Sequence, residues 1–187
     1  PVGATGATGP VGATGKEGPA VIWLSPSELV NAAHTNSFPN VTLESINVAG
    51  YSHNVVRIAE SQGTYNPATA IISLPESWRS SGNVYATVYW TSNKTDGNIK
   101  MSIGYGGAKL GDVLTTAGYQ EDCASTSPET AFVLQTCTKK ISDVIYLNDH
   151  ISIIEVNRYA YLYPELTNPD TNTGDLYIYG IKLENRS

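Results

Sequence analysis

Charge is scarce in this chain. Only 15% of its 187 residues are Asp, Glu, Lys or Arg, and 11 basic against 17 acidic side chains leave a formal net charge of −6. A phosphate backbone demands a dense basic surface, so this balance argues against nucleic acid as a partner. Long apolar runs are missing too. None approaches the ~20 residues that a helix needs to cross a bilayer, which argues against membrane insertion, and the N-terminus lacks the basic, apolar, small-residue order of a signal peptide. Three histidines, His34, His53 and His150, stand far apart and at no metal-ligand spacing. No GxSxG elbow is present. Neither Glu121-Asp122 nor the pair Glu44 and Glu60 offers an acid/base arrangement. The sequence therefore implies no enzyme and no cofactor. Helix signals are also few. The clearest is SPSELVNAA, Ser25 to Ala33, where Ser25 is a capping serine, Pro26 opens the first turn and Glu28 stands three residues on.

What the chain does have is a glycine in every third place at its start: Gly3, Gly6, Gly9, Gly12, Gly15 and Gly18, in the run PVGATGATGPVGATGKEGP. Only glycine fits where three polyproline-II chains meet at one axis, so this collagen repeat orders only when three copies wind together. The expected organisation is a homotrimer with a triple-helical stalk over residues 1–19 and a head over residues 20–187. About 165 residues suit one domain with a sizeable core.

Beyond the stalk, the apolar segments are short, rich in β-branched and aromatic residues, and bounded by Gly, Pro, Asn, Ser or Asp. VIWL at Val21 to Leu24 reads as the first strand of the head. Further strands are expected at Val55 to Glu60, Thr69 to Leu74, Val84 to Thr91, Asn98 to Tyr105, Ala131 to Thr138, Ile151 to Arg158 and Leu176 to Glu184. Two alternate cleanly. Val84, Ala86, Val88 and Trp90 oppose Tyr85, Thr87, Tyr89 and Thr91, while Ile99, Met101, Ile103 and Tyr105 oppose Asn98, Lys100, Ser102 and Gly104. A brief turn is expected at Asp143 to Asn148. Seven or eight antiparallel strands without a helical layer point to an all-β, jelly-roll-like sandwich, with Trp78 and Trp90 in its core.

The remaining features are binding rather than catalytic candidates. GYGGAKLGD, Gly104 to Asp112, lacks the GK[ST] of a phosphate loop and reads as a strand-connecting turn. DTNTGD offers Asp170, Asn172 and Asp175 as oxygen ligands for calcium, but it has no glycine at the sixth place and Ile181 stands where the bidentate glutamate belongs. The alternative is a turn whose side chains bond their own backbone. Tyr159, Tyr161 and Tyr163 alternate in RYAYLYP, a row suited to stacking on sugars if exposed, or to packing between subunits if not. Cys123 and Cys137 flank ASTSPET; in an extracellular chain they can link neighbouring strands or pin that loop, and otherwise they are two buried thiols.

LPESW at Leu74 to Trp78, the pair Tyr89-Trp90, DGNIKMSIGY, Asp149, VNR at Val156 to Arg158 and DTNTGDLYIYGIKLE occur in an order that resembles a β-sandwich domain of bacteriophage tail-fibre and appendage proteins. A collagen stalk with a trimeric jelly-roll head is also the layout of spore-surface filaments and of complement and tumour-necrosis-factor-like modules. The resemblance implies an extracellular virion appendage whose head sets the trimer and binds a host-surface glycan or protein receptor, alongside other virion subunits. The alternative is a cellular surface filament whose head nucleates the triple helix.

Overall fold

Alternation of buried and solvent-facing residues turns most of the described chain into strands. The computed structural model describes residues 21–30, 41–60, 65–79, 83–108, 119–124, 130–141, 151–159 and 170–186. The glycine triplets, Tyr161, Tyr163, His34, His150, Asp149 and the Asp143 to Asn148 turn lie outside them. Among the described residues ten strands form: β1 (Val21–Leu24), β2 (Val41–Val48), β3 (Tyr51–Ile58), β4 (Tyr65–Ile72), β5 (Val84–Ser92), β6 (Lys100–Ala108), β7 (Tyr119–Ala124), β8 (Gln135–Lys140), β9 (Ile151–Tyr159) and β10 (Leu176–Asn185). Two short helices, α1 (Pro26–Val30) and α2 (Glu76–Arg79), join them.

The strands pair as one long hairpin rolled on itself. β3 pairs with β10, β4 with β9, β5 with β8 and β6 with β7, every pair antiparallel. Rolling places them in two sheets, β2-β3-β10-β5-β8 and β4-β9-β6-β7, with β1 added beside β10. Strands β3 to β10 follow jelly-roll order. The core lies between the sheets: Val56, Ile58, Val84, Ala86, Val88, Trp90, Ile178, Ile181 and Leu183 from the first sheet face Ala68, Ala70, Met101, Ile103, Tyr105, Ile154 and Val156 from the second. Trp78 and Trp90 both sit in this core at 1% exposure.

Two segments became strands against expectation. β2 was hidden because its hairpin to β3 turns on Ala49-Gly50, both at positive φ (52° and 88°), rather than on the Asn-Gly or Asp-Gly that announces such turns. Asn47 Oδ1 steadies that turn by accepting the Gly50 N–H at 3.0 Å. β7, YQEDCA, is too polar to read as a strand. The Gly104 to Asp112 stretch, expected as a turn, is strand as far as Ala108, since β6 continues through Gly106 and Gly107 against Ile153 and Ser152 of β9.

β10 is the hub. Its first residues pair with β3 and its last with β1, so the two strands follow each other along one of its edges. The handover falls at Gly180 (φ 152°), where the register with β5 also shifts. A Cβ there would come within 2.5 Å of the Trp23 ring and 2.7 Å of the Leu24 carbonyl oxygen, so the position admits only glycine.

A sandwich has two open seams, and each is closed differently. At one, a disulfide joins Cys123 of β7 to Cys137 of β8 with Cα atoms 5.9 Å apart. The bonded strands are neighbours in sequence but edge strands of opposite sheets. At the other, α1 packs on β2, β3 and β4 with Leu29 fully buried. Half of its capping box forms: Glu28 Oε2 accepts the Ser25 N–H at 2.7 Å, while the Ser25 hydroxyl donates to the same carboxylate at 2.6 Å and the Glu28 N–H goes to the Ser25 carbonyl at 3.1 Å. The Ser25 hydroxyl bond and then its backbone bond hold the Glu28 carboxyl below its ordinary value of 4.5.

Both closures are testable. Replacing Cys123 and Cys137 together by alanine should cost about 3 kcal/mol in urea unfolding, because the bond closes a loop of that length. Since the Glu28 pKa is depressed on folding, its contribution is present above pH ~4.5 and disappears as pH falls through the lower folded value. Glu28→Gln should therefore flatten the stability profile in that acid range and leave it parallel to the parent near neutrality.

Candidate functional site

The outward side of the β4-β9-β6-β7 sheet is built from rungs set by register. One runs Pro67, Asn157, Ser102, Asp122; the next Thr69, Glu155, Gly104; the third Ile71, Ile153, Gly106. In a strand successive side chains point to opposite faces, so these residues alternate with the core set and share the far face. The central ones are enclosed. Thr69, Ser102, Glu155 and Asn157 are all at 4% exposure or less, while the flanks open to solvent at Ile71 and Asp122.

Polar groups in such a place are normally bonded, because an unmade bond costs roughly 1–3 kcal/mol. Here neither the nitrogen nor the oxygen of the Asn157 amide, nor the Thr69 hydroxyl, has a hydrogen-bond partner among the described residues. The amide thus presents a free donor and a free acceptor together. Gly104 and Gly106 put no side chain on this face of β6, and both are buried. Lys100 Nζ lies 3.4 Å from Asp122 and balances its charge. Both amide atoms are shielded from solvent, and of the two isoleucines on this face Ile71 is exposed at 46% while Ile153 is buried; a neutral polyhydroxylated ligand that gained access would satisfy the donor and the acceptor together.

Sequence reasoning placed Ser102 and Gly104 on the face away from the core but singled out neither Asn157 nor Glu155 nor Thr69. The signal was present: IEVN and ATAI alternate like the other strands. Of the tyrosine row, Tyr159 ends β9 opposite Tyr65, two residues beyond Asn157.

At DTNTGD the side chains of Asp170 and Asn172 accept the Asn172 and Gly174 backbone N–H groups of their own turn, and a guanidinium occupies the place a cation would take. Arg158, at 3% side-chain exposure, donates from Nε to Asp170 Oδ2 at 2.8 Å and from Nη2 to Asp170 Oδ1 at 3.1 Å. It also donates to the carbonyls of Asn172 (2.8 Å) and Gly174 (2.6 Å). The Asp170 oxygens further accept the Lys100 and Asn172 backbone N–H groups, both at 3.2 Å. Asp175 turns elsewhere, to Arg57 Nε at 2.8 Å and the Glu60 N–H at 3.1 Å, and its bond raises the Arg57 pKa. The Asn172 side chain caps the cluster by reaching the Asp96 carbonyl and Ser92. Among the described residues no group of three or more His, Cys, Asp or Glu is placed to hold a metal.

The outward side of the other sheet is aromatic. Tyr177 lies against Phe132 with ring centroids 5.9 Å apart, and Tyr179 meets His53 edge-on at 5.7 Å. Burial raises both tyrosine pKa values. Trp23 of β1 and Tyr89 of β5 are 5.2 Å apart at 51°. His53 is thus a ring contact, and Glu44 is the ion-pair partner of Arg57 at 3.1 Å.

No protein-family model matches this chain, and no curated protein sequence does. Solved structures match in shape. A xylan-binding module, CBM15, superposes with a TM-score of 0.50 at 18% identity over 91% of this chain and 99% of its own. The CBM36-1 domain of a multidomain xylanase from the hindgut metagenome of Trinervitermes trinervoides gives a TM-score of 0.49 at 10% identity, with the same coverage. At this identity the likeness establishes the fold, an antiparallel jelly-roll sandwich, and function must be argued from the site.

The Arg158 cluster can be checked directly. Arg158→Met leaves a buried carboxylate without its counter-charge, so it should lose about 3–5 kcal/mol in denaturant unfolding. Adding calcium to the parent chain should leave its melting temperature unmoved.

Proposed function

We propose that this chain is the distal part of a homotrimeric, collagen-stalked virion fibre or spike whose head binds a neutral host-surface glycan along the Asn157 face. The single observation behind the binding site is the enclosed Asn157 amide with both its atoms unpaired on a non-core sheet face. A ligand that supplies those two bonds recovers what folding leaves unmade. Sugar hydroxyls donate and accept equally, and the apolar faces of sugar rings match the exposed Ile71. Among the described residues of this face the cation is Lys100, already paired with Asp122, so an anionic polysaccharide finds no free counter-charge and the glycan is taken as neutral. A xylan-binding module is built on the same fold, which is compatible with this reading. The six glycine triplets support the trimer. Three heads on one stalk turn weak single-site affinity into useful avidity.

Affinity and stability should part company at Asn157. Leucine fills similar volume without polar atoms, so Asn157→Leu should hold or raise the melting temperature while abolishing retention on neutral glycans in an array. If Asn157→Leu binds every glycan that the parent binds, the face is not the site. Staining of intact host cells with the labelled parent chain tests the attachment role itself.

A further inference from the structure

The aromatic sheet carries an apolar patch that the glycan site leaves unused. Val21 and Trp23 are 55% and 48% exposed, although both belong to a paired strand. The Trp23 indole lies across Gly180, where only a missing Cβ admits it, and leans on Tyr89. The charges at the rim each have a partner within the chain. Lys182 Nζ lies 3.0 Å from Glu184, Arg186 pairs with the same carboxylate, and the Arg186 guanidinium sits 4.3 Å above the Tyr85 ring. Two cations on one carboxylate leave a single net positive charge at the rim.

The stalk says what covers it. Gly18 precedes Val21 by three residues and Trp23 by five. A chain advances at most about 3.6 Å per residue, so Val21 lies within ~11 Å of the Gly18 Cα and Trp23 within ~18 Å. In a triple helix all three copies of Gly18 sit at one axis. Three copies of the patch are thereby held closer to the axis than the thickness of a two-sheet domain with its side chains allows for any face turned away. The other exposed apolar residues, among them Leu43 and Tyr51 (50% and 73%), are not tethered so closely.

We infer that the outward face of β1, β10 and β5, centred on Trp23 with Val21 and Tyr89, is the surface through which three copies of this chain associate. The inference rests on the proposed trimer and deepens it. Each copy offers the patch to the next around a closed three-fold ring, and the Asn157 face, on the opposite sheet, is turned outward.

The test uses the full chain in light scattering and sedimentation, in the parent and in a Gly9→Ala background that disables the stalk. Both should run at three times the 20.0 kDa chain mass at micromolar concentration. Trp23→Glu in the Gly9→Ala chain should raise the concentration of half-dissociation about thirtyfold or more, as expected for loss of a central tryptophan anchor. Tyr51→Glu should not. Val21→Glu serves the same purpose if near-ultraviolet circular dichroism shows that Trp23→Glu fails to fold. Iodide quenching gives a second reading. With Trp78 and Trp90 at 1% exposure, only Trp23 is open to iodide in a lone chain, and it should be shielded in the trimer. A monomeric parent sinks the trimer and this interface together. A trimeric parent that becomes monomeric with Gly9→Ala overturns the interface alone, and so does a Val21→Glu, Trp23→Glu double variant that stays trimeric while Trp23 of the parent trimer remains open to iodide.

Discussion

The Arg158–Asp170 pair is the constraint on which the sandwich depends. Arg158 comes from β9 of one sheet, and Asp170 opens the segment that runs into β10, the central strand of the other. One buried guanidinium thus fixes where β10 begins by gripping both oxygens of Asp170 and two backbone carbonyls after it. Such a pair repays its desolvation only when its donors are satisfied and its geometry is held. Here four donations serve a single turn. That turn then delivers Leu176 and Ile178 to the core, and β10 in turn positions β3, β1 and β5. A misplacement at Asp170 would carry through the whole aromatic sheet.

Closure follows the same economy. A rolled hairpin leaves edge strands exposed, and edges invite pairing with other chains. The disulfide ties the β7 and β8 edges, and α1 covers the gap between β4 and the β2-β3 hairpin. Neither closure touches the outward faces of the sheets, which leaves one face polar and the other aromatic. On the proposed reading, this division would let a single small domain assemble through one side and recognise a ligand through the other.

Much of this was legible in the sequence, and for physical reasons. Period-two alternation in Val84 to Trp90 and Ile99 to Tyr105 sorted those strands into core and far face because a strand has no freedom in that respect. The capping box at Ser25 and Glu28 was legible because it is local. What escaped was non-local. Asp170 read as a turn residue, with calcium ligation as the lesser alternative, and its ion pair went unseen since only the fold brings Arg158 beside it. Cys123 and Cys137 gave no hint that their strands belong to different sheets. Asn157 looked like any polar residue on a solvent face; its meaning lies in being enclosed without partners, a property of three neighbouring strands and not of VNR.

The two proposals together constrain how the head would be used. With the Trp23 patch at the three-fold axis, the Asn157 faces point away from one another, around the sides of the head instead of together at its tip. Identical sites gain avidity only when the ligand can span them, and effective concentration falls away steeply when it cannot. Short saccharides fixed on a flat layer would meet one face at a time. Long, mobile chains rising from a surface can wrap the head and occupy several faces, and an extended neutral chain is also the ligand best matched to a rung-by-rung polar face with an apolar step. On this arrangement the length and mobility of the glycan, more than the identity of its terminal sugar, decide how firmly the fibre holds.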